Sequence, residues 1–230
     1  MSRRDELAAG LAETEERISR ACAAAGRSRD DITLVVVTKT YPASDVEILA
    51  DLGVADVGEN RHPEAGDKVA EVSADLRWHF LGALQTNKAG AVATYADLVH
   101  SVDRLKLVNS LSRGAEAAAR TLTCLVQVDF DATDPGRAGV VPGGIDDLAD
   151  AIAAAPGLEL GGLMTVAPLG DDPAPHFAHL ARLSAELQER HLGASIISAG
   201  MSGDFEAAVA AGATHLRIGR SVLGERPSAG

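Results

Sequence analysis

Lys39 follows the apolar run Leu34–Val37 and one threonine, in the stretch LVVVTKTYP. An unbroken Val-rich run reads as a strand buried on both faces, as in a parallel sheet. Thr40, Tyr41 and Pro42 stop it, and Ser44-Asp45-Val46-Glu47 then has the capping-box spacing that opens a helix. Lys39 is therefore expected at the carboxyl end of the first strand, where ligands and chemistry gather in barrels and open parallel sheets. An amine there, partly desolvated, has a lowered pKa and can condense with a carbonyl compound. A rim lysine reaching water gives the same local pattern.

Arg217 lies inside a second such run, Leu216-Arg217-Ile218. A guanidinium within a strand needs partners for its fork, whether a carboxylate, a ring nitrogen or a phosphate. Ser202 precedes a helical pattern, so its hydroxyl and the following N–H groups suit an anion, or simply cap the helix. Asp204 falls in the same turn, and its carboxylate must turn away if an anion binds there. Gly219 permits close approach to the backbone after the last strand. His79, between Trp78 and Phe80, and His100 read as packed core histidines.

These residues need a frame that brings strand ends together. Residues 3–25 form an amphipathic helix with Leu7, Leu11, Ile18, Cys22 and Ala25 on one face, ended by Gly26. Strand patterns follow at LVVVTK, VADVGEN, RWHFLG, LVHSVD, LTCLVQVD, LELGGLMTV, ASIISAGM and THLRIG, separated by helical patterns. Asp103 is a candidate N-cap, and Asp172-Pro173 opens a helix with Asp as N-cap and Pro at the first position. Eight strands alternating with helices in 230 residues, without a linker, predict one α/β domain, residues 1–230, folded as a (β/α)8 TIM barrel. Residues 1–26 are expected outside the barrel as an extra helix, and 225–230 as a mobile tail. An open doubly wound sheet is the runner-up, but no G-x-G-x-x-G follows the first strand.

Composition narrows the function. Hydrophobic residues make up 46% and aromatic ones 3%, so the core must be built from Ala, Val, Leu and Ile. A net charge of −12 argues against non-specific nucleic-acid binding. No apolar run approaches a membrane span, and MSRRDELAAG lacks a signal-peptide core. Cys22 and Cys124 show no ligand spacing and read as free thiols in a reducing cytoplasm.

The stretches VVVTKTYPASDV, DVGENR, RWHFLGALQTNK, VHSVDR, GLMTVAP and SAGMSGDFEAAVAAGATHLRIGRSVLG resemble the YggS/PROSC-like pyridoxal-phosphate homeostasis family, in that order and over nearly the whole chain. The resemblance implies a barrel like the N-terminal domain of alanine racemase, with pyridoxal 5′-phosphate held as a Schiff base on Lys39. It implies Arg217 facing the pyridine nitrogen, and Ser202, Gly219 and the Arg220 backbone holding the phosphate. Asn60 and His79 match strand ends that line the cofactor. Implied partners are the cofactor itself and, transiently, pyridoxal-dependent apoenzymes, with the chain a monomer or weak dimer.

Two functions fit that resemblance: a carrier that buffers the cofactor without turnover, and an amino-acid racemase or related enzyme of fold type III. A carboxylate near the ring nitrogen keeps it protonated as an electron sink, whereas an arginine cannot take that proton. Racemases of this fold add a tyrosine from a second domain. This chain lacks the residues for one, and its tyrosines are Tyr41 and Tyr95. The carrier is the favoured reading. The sequence departs from the family at GENRHPE, 58–64, where Tyr, Val and Gln are common at 61–63, and at DPGRAG, 134–139.

Overall fold

The computed structural model describes residues 1–131 and 136–224. Eight parallel strands close into a barrel in sequence order. They are β1 Thr33–Val37, β2 Asp56–Glu59, β3 Arg77–Phe80, β4 Leu98–Val102, β5 Leu122–Val128, β6 Leu158–Thr165, β7 Ile196–Ser198 and β8 His215–Ile218. β8 pairs with β1 in the register Thr33↔His215, Leu34↔Leu216, Val35↔Arg217, Val36↔Ile218, which seals the barrel. The helices around it are α1 Arg3–Ala24, α2 Ala43–Asp51, α3 Glu64–Glu71, α4 Ala89–Val92, α5 Leu105–Ala117, α6 Ile145–Ala154, α7 Pro173–Gln188, α8 Phe205–Ala210 and α9 Arg220–Leu223.

The expected extra helix is α1, capped by Ser2 in a capping box with Asp5, with Leu7, Ile18 and Cys22 buried. It lies against the short helices α8 and α9 that follow the last two loops. Gly26, at φ 66°, turns the chain away after it. Asp172 caps α7 as expected, accepting from the Ala174 N–H at 3.1 Å.

Two caps differ from expectation. α2 starts at Ala43 without a side-chain cap, because Glu47 instead accepts from the N–H and hydroxyl of Ser73. α5 starts after Arg104, and Asp103 is paired with the Arg104 guanidinium rather than capping. Most strands are also shorter than their apolar patterns, since the ladder ends once the chain bends into a loop. Lys39 lies two residues beyond β1, in a turn. The expected tail, 225–230, lies outside the described residues.

Candidate functional site

Side chains alternate along each strand, so residues two apart share a face. The inward series 56, 58, 60 of β2, 77, 79, 81 of β3 and 215, 217, 219 of β8 climb from the base of the barrel to its rim. At the top they open into a cavity of about 550 Å³. Lys39, Asn60, Ser202, Arg217, Gly219 and Arg220 all line it. Val37, Tyr41 and Leu81 complete that wall, and the β6–α7 loop supplies the opposite one from Val166 to Asp171. Six of the seven residues proposed from sequence thus meet at one place.

His79 is the exception. Its ring is buried one layer below the cavity, with Nε2 2.9 Å from Asp56 Oδ1 and Nδ1 2.8 Å from His100 Nε2. The inward position at the end of this segment belongs to Leu81, two residues on. His79 is the core histidine that its apolar neighbours suggested, and it does not line the cavity.

Lys39 is half-buried and followed by Thr40 at φ 71°, a left-handed conformation rarely adopted by a β-branched residue. What holds that turn is an ion pair. Lys68 of α3, buried, donates to the Thr38 carbonyl at 2.8 Å and pairs with buried Glu59 of β2. The Thr38 hydroxyl donates to the same carboxylate at 2.6 Å. Sequence reasoning missed this pair. Its signal was an acidic residue, Glu59, at the inner end of a strand, which burial obliges to find a cation. Tyr41 lines the cavity, and its hydroxyl donates to the Gly224 carbonyl at 2.7 Å.

Arg217 is 5% exposed, and among the described residues its fork is held by a hydroxyl and a carbonyl rather than by an ion-paired carboxylate. Its Nη1 donates to Ser198 Oγ at 2.7 Å and its Nη2 to the Thr165 carbonyl at 2.8 Å. Burial pulls its pKa down to about 10, against the field of Asp204, so it stays charged at neutral pH.

At the other end of the cavity Ser202 and Gly203 form the turn before α8, and Gly219 and Arg220 form the turn into α9. A Cβ on Gly219 would lie 3.1 Å from the Val37 carbonyl, so a side chain there would press on the end of β1 by a few tenths of an ångström. The Asp204 carboxylate accepts from the Met201 N–H at 2.6 Å, within its own turn, while Asp204 still lines the cavity.

This donor set suits a phosphorylated pyridine aldehyde: an amine, a donor-only guanidinium, and at the far end a hydroxyl with backbone N–H groups. The cavity is also large enough to hold one. The GENRHPE segment flanks a neighbouring cavity of about 260 Å³ with Arg61, His62 and Lys88, sharing Asn60. Of the second departure, Arg137 is described. It bridges Asp129 at 2.9 Å and the Val166 carbonyl at 2.7 Å, bracing the cavity wall.

The family model described as alanine racemase, N-terminal domain, matches residues 11–227. The pyridoxal phosphate homeostasis protein of Mycobacterium tuberculosis is 39% identical over 244 residues, covering 97% of this chain and 94% of that protein. The protein of the same name from Escherichia coli is 35% identical over 235 residues, with 96% and 97% covered. Among solved structures, PipY of Synechococcus elongatus with pyridoxal phosphate bound is similar at a TM-score of 0.83 and 32% identity. That match covers 95% of this chain and 100% of PipY. Alanine racemase of Corynebacterium glutamicum shares the fold at a TM-score of 0.71 and 17% identity, but this chain spans only 62% of it. The chain belongs to the pyridoxal phosphate homeostasis protein family, one of the barrels built on the alanine racemase N-terminal-domain pattern.

Proposed function

We propose that this protein binds pyridoxal 5′-phosphate reversibly and serves cofactor homeostasis as a carrier, without turning over amino acids. The observation that carries the reading is the convergence of Lys39, Arg217, Ser202, Gly219 and Arg220, from different strand ends, on one cavity in a chain of this family. When bound, the cofactor supplies an aldehyde that reacts reversibly with amines and a ring able to draw electrons. Lys39 provides the amine. Ser202, Gly219 and the Arg220 backbone hold the phosphate, and Asn60 borders the ring. Arg217 donates toward the ring nitrogen.

The residues also support the idle character of the site. Arg217 carries its charge permanently and presents only donors, so it cannot keep a proton on the ring nitrogen. The Tyr41 hydroxyl, the nearest candidate for a second acid or base, is already donating to Gly224. No helix among the described residues is long and apolar enough to cross a membrane. With Cys22 and Cys124 buried and free, we place the protein in the cytoplasm as a monomer or weak dimer that meets apoenzymes transiently.

The test joins labelling to turnover. Borohydride reduction of the loaded protein should fix the cofactor to the peptide containing Lys39, and Lys39→Ala should abolish it. In deuterium oxide, alanine, serine or glutamate should show no α-proton exchange above a free-cofactor control, while an apo pyridoxal enzyme mixed with the loaded protein regains activity. Label on Lys68, Lys88 or Lys106 would sink the site. Rapid stereospecific exchange lost in Lys39→Ala or Tyr41→Phe would replace the carrier with an enzyme.

A further inference from the structure

Beneath the cavity runs a continuous chain of buried side chains. Arg217 Nη1 lies 2.7 Å from Ser198 Oγ, and Ser198 Oγ 2.9 Å from His100 Nδ1. His100 Nε2 lies 2.8 Å from His79 Nδ1, and His79 Nε2 2.9 Å from Asp56 Oδ1. Asp56 is held from outside by Arg77 at 2.8 Å, at the base of the barrel. All five residues of this chain, Arg217, Ser198, His100, His79 and Asp56, are 5% exposed or less.

The two ends of this chain fix its direction. A guanidinium only donates, and an ionised carboxylate only accepts. Burial alone would raise the Asp56 carboxyl, but hydrogen bonds from His79 and Arg77 outweigh it and hold the group below its ordinary value, hence ionised. The three groups between can each donate and accept, so with both rings neutral one proton arrangement satisfies every contact. Arg217 donates to Ser198, and the Ser198 hydroxyl donates to His100 Nδ1. His100 Nε2–H donates to His79 Nδ1, and His79 Nε2–H donates to Asp56. Any other tautomer of either ring would set two donors or two acceptors against each other at some link. Burial, joined by the field of Arg217, keeps His100 from charging.

We infer that Asp56, His79, His100 and Ser198 form a one-way positioning relay that orients the Arg217 guanidinium toward the ring nitrogen of the bound cofactor without neutralising its charge. This rests on the carrier reading for the identity of the ring. With Ser198 Oγ locked as an acceptor and the Thr165 carbonyl as a second, the guanidinium plane is pinned at Nη1 and Nη2. His79, His100 and Ser198 are positioning residues, since none of them lines the cavity.

Two measurements on the full-length protein test the relay. Nitrogen-15 spectra of histidine-labelled protein should show both His79 and His100 as neutral rings protonated at Nε2, with or without pyridoxal phosphate. A ring protonated at Nδ1, or an imidazolium, at either position overturns the relay. The second is a double-mutant cycle read by pyridoxal phosphate affinity and by the visible band of the bound cofactor. His100→Leu should weaken binding about three- to tenfold, the worth of one buried hydrogen bond, and shift the band. In an Arg217→Met background the same change should move affinity less than about twofold, because its effect runs through Arg217. An equal loss in both backgrounds marks a merely structural role and overturns the inference. Should His100→Leu fail to fold, Ser198→Ala takes its place in the cycle with the same expectations. Failure of the wild type to take up pyridoxal phosphate would count against the carrier reading instead. The nitrogen spectra, which need no ligand, would still decide the relay.

Discussion

Lys68→Met tests how the lysine turn is held. In the wild type the ammonium is about 10% exposed and the Glu59 carboxylate 4%, so both have left water. Removing the cation leaves the carboxylate buried with the Thr38 hydroxyl, at 2.6 Å, as its remaining donor. Breaking a buried pair from one side costs about 3–5 kcal/mol. That is a large share of a total stability of roughly 5–15 kcal/mol. At an m-value of about 3 kcal/mol/M, the urea midpoint should fall by ~1–1.7 M, with m itself unchanged. The double variant Glu59→Gln/Lys68→Met removes both charges and should recover most of the loss, because a neutral replacement leaves no uncompensated ion. The Thr38 carbonyl, bonded to Lys68 at 2.8 Å, also loses its tie to α3, so borohydride labelling of Lys39 should slow in both variants. A single variant costing less than about 1 kcal/mol, or a double variant worse than the single, would refute the account of the pair as a charge-matched brace.

Other expectations follow from the same geometry. Ser202→Ala should weaken pyridoxal phosphate binding about tenfold to a hundredfold, from a loss of ~1–3 kcal/mol, and leave affinity for unphosphorylated pyridoxal unchanged in equilibrium dialysis. Equal losses for the two ligands would remove the hydroxyl from the phosphate site. Gly162→Ala should destabilise strongly, since Gly162 sits at φ 142° and its Cβ would lie 2.1 Å from the Ile196 carbonyl. A melting temperature within a degree of wild type would contradict that contact. Burial lowers His215 from 6.5 to about 4. Below pH 6.5 the unfolded chain takes up a proton that the folded one refuses. Stability should therefore fall by roughly 3 kcal/mol as pH drops from 6.5 to 4. Urea titrations across that window should show the slope, and His215→Gln should make it shallower, the remainder coming from His100, which also refuses its proton.

The barrel was legible in the chain because each unit writes itself locally. A buried parallel strand is a continuous apolar run, and the polar residue that ends it marks the rim. Lys39 and Asn60 stood at such strand ends, Ser202 and Gly219 in the turns that follow, and Arg220 came only with the family resemblance; parallel closure then brought them together without any contact being foreseen. The same rule failed at His79. RWHFLG reads as strand to its last residue, and only the inward phase, fixed by pairing Gly58 with His79, shows that Leu81 and not His79 reaches the cavity. Interactions across layers left no local signature either. Glu47 serves Ser73 rather than its own helix, and His100 meets Ser198 ninety-eight residues later.

The partner of Arg217 shows why such distant choices matter to the site. Sequence logic offered a carboxylate, the ordinary neighbour of a buried guanidinium. A carboxylate at Ser198 would balance the charge locally, and the cavity would face a neutral pair. The barrel instead holds the fork by a hydroxyl and a carbonyl, and Asp204 acts on the guanidinium only through its field. In a low-dielectric interior a charge is felt most strongly where no counter-charge stands beside it. Arg217 therefore keeps its field for the ligand while its geometry is fixed by groups that carry no charge. The cost is visible in its lowered pKa, and it is bounded: a guanidinium near 10 remains protonated at any pH where the protein works. A lysine at this position would not survive the same burial so reliably, because its ammonium gives up its proton more readily when desolvated. The fork geometry matters as much as the charge, since Ser198 and Thr165 each hold one nitrogen. An ammonium could pivot about its single nitrogen, and nothing in the relay would then decide where its remaining protons point.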